Sequence, residues 1–270
     1  MYSTDMAHRE IIKKNKYQYI IIEVKMHNTK HIANDFIAIF ENRFRNEKYL
    51  TECIEYIEKY KSTKFFDIII DGHHGEYTPL TYILTCKYDV HDILDKNIYI
   101  YIYLVVKMIE CGANINKCDG EGWSPLIYAS CHGYNKLVDL LLEIKCDLNL
   151  QTDIGDTAAM FALGAHNYDI LYKLVQNGAD LDITDIDGHS LWAMLSRHEH
   201  DNSREDIFIN LIKYGAKFED ITDRYIIGKN MKKLEQYIRD VYFVRTIDEM
   251  NKYEQTELKY FVKIICEFIV

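Results

Sequence analysis

Apolar residues fall along the middle of this chain in a pattern that comes round again. Leu137, Val138, Leu141 and Leu142 lie on one face of a helix, and Ile170, Leu171, Leu174 and Val175 restate that face 33 residues later. Polar and small residues keep the same step. Ser124, Thr157 and Ser190 are 33 apart, and so are Gly122, Gly155 and Gly188. Each has a local physical role. Ser or Thr caps a helix start by accepting a hydrogen bond from an orphan amide, and Pro125 at the next position has the φ of a first helical turn. Ala129 and Ala162 let two helices approach closely, and Gly133 ends the first short helix. The second helix stops at Gly112-Ala113-Asn114, Gly178-Ala179-Asp180 and Gly215-Ala216-Lys217, with Lys145 in the glycine slot of the intervening unit. The predicted unit is therefore a turn, a capped short helix, a reversal, a longer amphipathic helix and a glycine stop.

A unit of 33 residues with a Ser/Thr-Pro-Leu helix start, as at Thr78-Pro79-Leu80 and Ser124-Pro125-Leu126, resembles the ankyrin repeat. The resemblance implies an all-α fold: an ankyrin-repeat solenoid of helix-turn-helix units with β-turn fingers, flanked by helical N- and C-terminal segments. Residues 71–220 divide into units 71–112, 113–145, 146–178 and 179–220. Thr78 precedes Gly112 by 34 residues whereas Ser124 precedes Lys145 by 21, so 13 residues are inserted near Lys87 to Tyr99. A smaller insertion of four falls in the polar segment His198 to Glu205. The family's histidine slot in the helix start holds Thr81, Ile127, Met160 and Ala193, which weakens hydrogen bonding between repeats.

The flanks read less regularly. Phe36, Ile37, Phe40 and Phe44, then Ile54 and Ile57, predict two helices in residues 1–70, as a degenerate repeat or an N-terminal cap. Tyr17 to Val24 is β-branched and aromatic, readable as a strand or a packed extension. Residues 221–270 have room for a helical cap or degenerate repeat, about Met231 to Val244 and Glu257 to Phe268. Terminal repeats need atypical outer faces because no neighbour covers them.

Composition narrows the chemistry. The chain has 270 residues, 48% apolar, with a net charge of −10, in the range of soluble globular proteins. The acidic balance argues against nucleic-acid or anionic-membrane binding, both of which need a basic face. The longest apolar stretch, Ile98 to Ile109, includes tyrosines and Lys107 and is shorter than the roughly 20 residues of a spanning helix. Seven scattered cysteines and no signal segment predict free thiols in a reducing, cytoplasmic setting. Cys111, Cys118, Cys131 with His132, and Cys146 lack the tight pair spacing of structural zinc, so no metal and no cofactor are expected. His73-His74, beside Asp71 and Glu76, reads as a solvated turn opening the first repeat. Phosphate loops and nucleophile elbows are missing from the sequence. Asp119, Asp153, Asp185 and Asp187 recur where the family shapes its finger turn, so their periodicity accounts for them without catalysis.

The resemblance implies a non-enzymatic protein-protein interaction module that binds a partner protein, as a monomer, on the concave surface of finger tips and inner helices. The candidate partner-binding residues there are Trp123, Tyr128, Asp156, Phe161, His189, Met194 and Arg197, of which Trp, Tyr and Arg are types enriched at binding hot spots. From Glu110 to Asp220 the chain carries 19 acidic and 8 basic residues, which suits a basic or mixed partner surface. The second reading is an adaptor. Its repeats would select a target while a flank recruits machinery such as a ubiquitin ligase, as in host-interaction factors of large DNA viruses; 37 isoleucines against two prolines suit an AT-rich genome of that kind. The amphipathic run Leu258, Phe261, Ile264, Ile265, Phe268 and Ile269 is the candidate recruiting segment.

Overall fold

The computed structural model describes residues 28–41, 48–72, 75–85, 96–197 and 203–216, with 232–234, 236–237, 240 and 241. Its central element is a short helix that returns once per unit. α3 (Pro79–Thr85), α5 (Pro125–His132), α7 (Ala158–Gly164) and α9 (Leu191–Arg197) form an inner row in which each packs on the next. Behind it, α6 (Asn135–Glu143), α8 (Tyr168–Gln176) and α10 (Ser203–Lys213) pack in the same succession. α4 (Lys96–Glu110) is the corresponding longer helix of the first unit and packs on α3. This is the all-α solenoid that the resemblance implies.

The predicted caps form. Ser124 Oγ accepts the Ile127 amide and Thr157 Oγ1 the Met160 amide, both from extended backbone just before the helix. In the first unit the cap is reciprocal, because Thr81 in the histidine slot lets Thr78 N donate to Thr81 Oγ1 while Thr81 N donates to Thr78 Oγ1. The outer-helix positions Leu137, Val138, Leu141, Ile170, Leu171 and Leu174 are fully buried. Ala129 and Ala162 are buried between successive inner helices.

Two hydrogen-bonded ladders tie unit to unit. In the fingers, Gly120 N donates to Glu76 O, Asp153 N to Glu121 O and Ile186 N to Ile154 O. Behind the glycine stops, Asn114 Oδ1 accepts the Asn116 amide, Asn116 Oδ1 the Asp147 amide, Asp147 Oδ1 the Asn149 amide and Asn149 Oδ1 the Asp180 amide. Asp67 extends this ladder backwards by accepting the Asn114 amide. The N-terminal flank joins at that point. The helix at residues 28–41 (α1) buries Phe36 and Phe40, and α2 (Tyr49–Tyr60) buries Cys53 and Ile57 and packs on α4. β1 (Ile70–Gly72) and β2 (Gly75–Tyr77) pair antiparallel as the finger that precedes α3.

Several expectations shift in detail. α4 begins at Lys96, so the end of the insertion expected near Lys87 to Tyr99 is helix. α10 begins at Ser203, so the polar insertion expected to run to Glu205 ends earlier; Glu205 instead accepts the amides of Lys233 and Leu234. Asp153 does not hold the turn slot assigned to it: Thr152 does, and Asp153 is the next residue. Phe44, His73-His74, the Tyr17 to Val24 segment, Cys86, Cys266 and the whole of Glu257 to Phe268 lie outside the described residues.

Candidate binding surface

The candidate surface is built where each finger meets the inner helix that follows it. The residue just before each cap is Tyr77, Trp123, Asp156 or His189, and the fourth residue after it is Tyr82, Tyr128, Phe161 or Met194. Unit stacking brings these two columns together. Trp123 lies with its ring centroid 4.9 Å from Tyr128 and 4.4 Å from Phe161 of the next unit. Tyr77 and Tyr82 make the equivalent edge contact one unit earlier, at 5.7 Å. Trp123, Phe161 and Met194 are half-buried against the core and keep part of their surface outside it.

Tyr128 takes a different place from the one its residue type suggests. It is only 7% exposed, and its hydroxyl donates to Asp119 Oδ2 at 2.7 Å, so it supports Trp123 rather than meeting solvent. Asp119 Oδ1 also accepts the amides of Glu121 and Trp123. Burial nevertheless raises the Asp119 carboxyl above its ordinary value, the hydrogen bonds from Tyr128 and the amides opposing it. Asp185 occupies the same slot two units on, where it is more open. There the His189 amide leads in lowering its carboxyl below the ordinary range. The shared turn chemistry thus gives opposite shifts because desolvation leads at the buried Asp119 whereas the amide hydrogen bond leads at the more open Asp185.

Asp156 is half-buried. Its carboxyl is raised, first by burial and then by the neighbouring Asp185 carboxylate. His189 lies beside Asp185, Nδ1 3.3 Å from Oδ2. Arg197 ends α9, and its side chain lies outside the described residues. Gln151 is fully engaged as a strut, its Nε2 donating to Gly155 O and Thr184 O across two fingers.

At the outer tips two apolar residues stand in water: Ile154 is 53% and Ile186 71% exposed. Neither stands out in the sequence, although their positions between the turn glycines and the preceding polar residues mark them as tip residues. Tyr77 and Tyr82 extend the same two columns one unit back.

Possible ligand chemistry is limited. Among the described residues, Asp185, Asp187 and His189 bring three ligand atoms within 4.8 Å. Asp185 Oδ1 already accepts the amides of Asp187 and His189, so the turn itself accounts for the grouping. Burial pushes the Cys53 thiol up to about 12 and the Cys146 thiol to about 11, which keeps both protonated and poor as ligands or nucleophiles at neutral pH. No helix among the described residues is long and apolar enough to cross a membrane.

Comparison with known proteins agrees with this geometry. A family model described as ankyrin repeats, in three copies, matches residues 97–185. The chain is also 32% identical over 83 residues to an ankyrin repeat and SAM domain-containing protein 6 of Rattus norvegicus, an alignment covering 30% of this chain and 9% of the rat protein. The chain thus spans less than a tenth of that relative's length. The stacked helix pairs, the finger ladder and these matches together establish that residues 97–185 of the chain are ankyrin repeats.

Proposed function

We propose that the chain binds a partner protein on the surface formed by its fingers and inner helices, without catalysing a reaction. The observation that carries this reading is the Trp123, Tyr128 and Phe161 cluster: a tryptophan held between two units by ring contacts at 4.9 and 4.4 Å, with part of its surface outside the core. A rigid, partly open aromatic anchor loses little side-chain freedom on binding and has a large apolar area to bury. Asp156, His189 and Met194 continue the surface in the following units, and Arg197 belongs to it by its position on α9. In this reading the flank of residues 1–70 closes the N-terminal end of the stack and the segment after Asp220 the other. The adaptor alternative draws on residues 258–269, outside the described residues.

The test is capture of the native partner by Trp123→Ala, Asp156→Ala and His189→Ala combined. Loss of each well-buried anchor from an interface costs about 2 kcal/mol, some thirtyfold in affinity. Helical content should stay near that of the parent because the caps, glycines and apolar helix faces that hold the stack are untouched, although the loss of the Trp123 ring contacts lowers the melting temperature. Undiminished capture by the folded variant places binding elsewhere.

A further inference from the structure

The finger tips carry a pair of exposed isoleucines that the aromatic cluster does not include. Ile154 and Ile186 belong to adjacent fingers, joined by the hydrogen bond from Ile186 N to Ile154 O. They are among the most exposed large apolar residues described, at 53% and 71%. Isolated exposed isoleucines are ordinary; here a backbone hydrogen bond holds two of them beside each other on neighbouring fingers, one frame position apart, as a small apolar strip. Exposed carboxylates flank it. Glu121 lies on the preceding finger, Asp153 beside Ile154 and Asp187 beside Ile186, and all three are exposed. Half-buried Asp156 and its neighbour Asp185 belong to the same two fingers, and their mutual repulsion helps raise the Asp156 carboxyl. The described residues of these two fingers, 151–157 and 184–190, contain no lysine or arginine. The local field is therefore negative around an apolar centre, within a segment of 19 acidic and 8 basic residues.

From this juxtaposition we infer that the finger tips of residues 151–157 and 184–190 dock a basic segment of a partner protein in which an aliphatic side chain lies between cationic ones. The inference rests on the partner-binding reading above and specifies the chemistry of the partner. The aliphatic side chain covers Ile154 and Ile186. Arginine or lysine on either side meets Asp153, Asp187 and Glu121, and a cation reaching Asp156 relieves its repulsion with Asp185. Such charges act mostly on encounter and register, whereas the apolar strip acts on residence, so the two contributions separate experimentally.

The experiment pans the full chain against a library of randomised twelve-residue peptides and measures the recovered peptides at low and high salt. Two variants are compared with the parent: Asp153→Asn with Asp187→Asn, and Ile154→Thr with Ile186→Thr. All four positions are exposed, so stability should change little. The expected consensus has an aliphatic residue between arginines or lysines. The asparagine variant should bind such peptides about tenfold more weakly at low salt and lose most of the salt dependence. The threonine variant should weaken binding severalfold with its salt dependence intact. Recovery of acidic or neutral peptides, of peptides indifferent to both variants, or of none at all overturns the inference. So does self-association of the chain that the threonine variant abolishes, which would make a second copy the occupant. If the triple variant of Trp123, Asp156 and His189 loses its native partner while any of these results is found, the partner-binding reading stands and only this one falls.

Discussion

Asp119 shows how much a single finger residue holds. It accepts two amides and the Tyr128 hydroxyl from a largely buried position, so Asp119→Ala leaves three donors without an acceptor and should cost about 2–4 kcal/mol in chemical denaturation. Asp119→Asn keeps an oxygen for the amides and offers an amide group to the tyrosine oxygen. Its pH dependence has a definite sign. A carboxyl raised in the folded state stabilises the fold while protonated, and that contribution is lost as pH rises through the folded value. Asp119→Asn should therefore become more stable relative to the parent as pH goes from about 3 to about 7; a constant difference would contradict the burial argument. Lys145 and His166 point the other way. Their φ values of 59° and 58° lie in the left-handed region, where the neighbouring units place Gly178 and Gly133. Lys145→Gly should stabilise the chain by about 0.5–1 kcal/mol, the relief of backbone strain exceeding the entropy glycine gains when unfolded. Thermal melts that fall on this substitution would count against it.

At the scale of the element, the finger is where repeats meet and where glycine has two separate functions. Gly155 has φ +85°, and a Cβ there would lie 2.7 Å from Asp185 Cα. Gly188 has a similar φ of +78° but nothing within 4 Å of such a Cβ. Conformational strain is common to both and backbone collision belongs to Gly155 alone. Gly155→Ala should cost about 3 kcal/mol and Gly188→Ala about 1 kcal/mol. Equal losses would mean that stacking of the fingers contributes nothing to the requirement for glycine. The inner helices are too short to persist alone and depend on their caps and neighbours. That dependence explains why α7 keeps its place although Ala158-Ala159 replaces the Pro-Leu pair: Thr157 still caps it, and α5 and α9 still enclose it.

Across the whole molecule, stability accumulates from interfaces between neighbours, and the last described interface involves residues beyond the regular repeats. Leu234 is completely buried, and Glu205 on α10 accepts the amides of Lys233 and Leu234. Leu234→Ala should cost about 2–4 kcal/mol. Ending the chain after Asp220 should lower the melting temperature further and promote aggregation, because the outer side of α10 loses its cover. A soluble, cooperatively melting fragment 1–220, with its transition unchanged, would mean that the C-terminal segment is independent of the stack.

Period, helix faces, caps and glycine stops were all readable from the residues, because each depends on spacings within one unit of 33 positions. The frame likewise places Trp123 in one column and Phe161 and Met194 in another, since a repeat brings equal positions of successive units side by side. Contacts between units and the degree of burial were not readable. Tyr128 resembles an interface residue in the sequence and is a buried support in the fold, because the finger folds back on its own inner helix and brings Asp119 to its hydroxyl. Asp119 and Asp185 share one slot and shift in opposite directions, since desolvation depends on what packs around the finger and not on the residue itself. Ile154 and Ile186 are unremarkable letters between polar neighbours until hydrogen bonding aligns their fingers. A local pattern determines which element forms and where it ends; which side chains meet, and which stay in water, is decided by how far one unit rotates and translates onto the next.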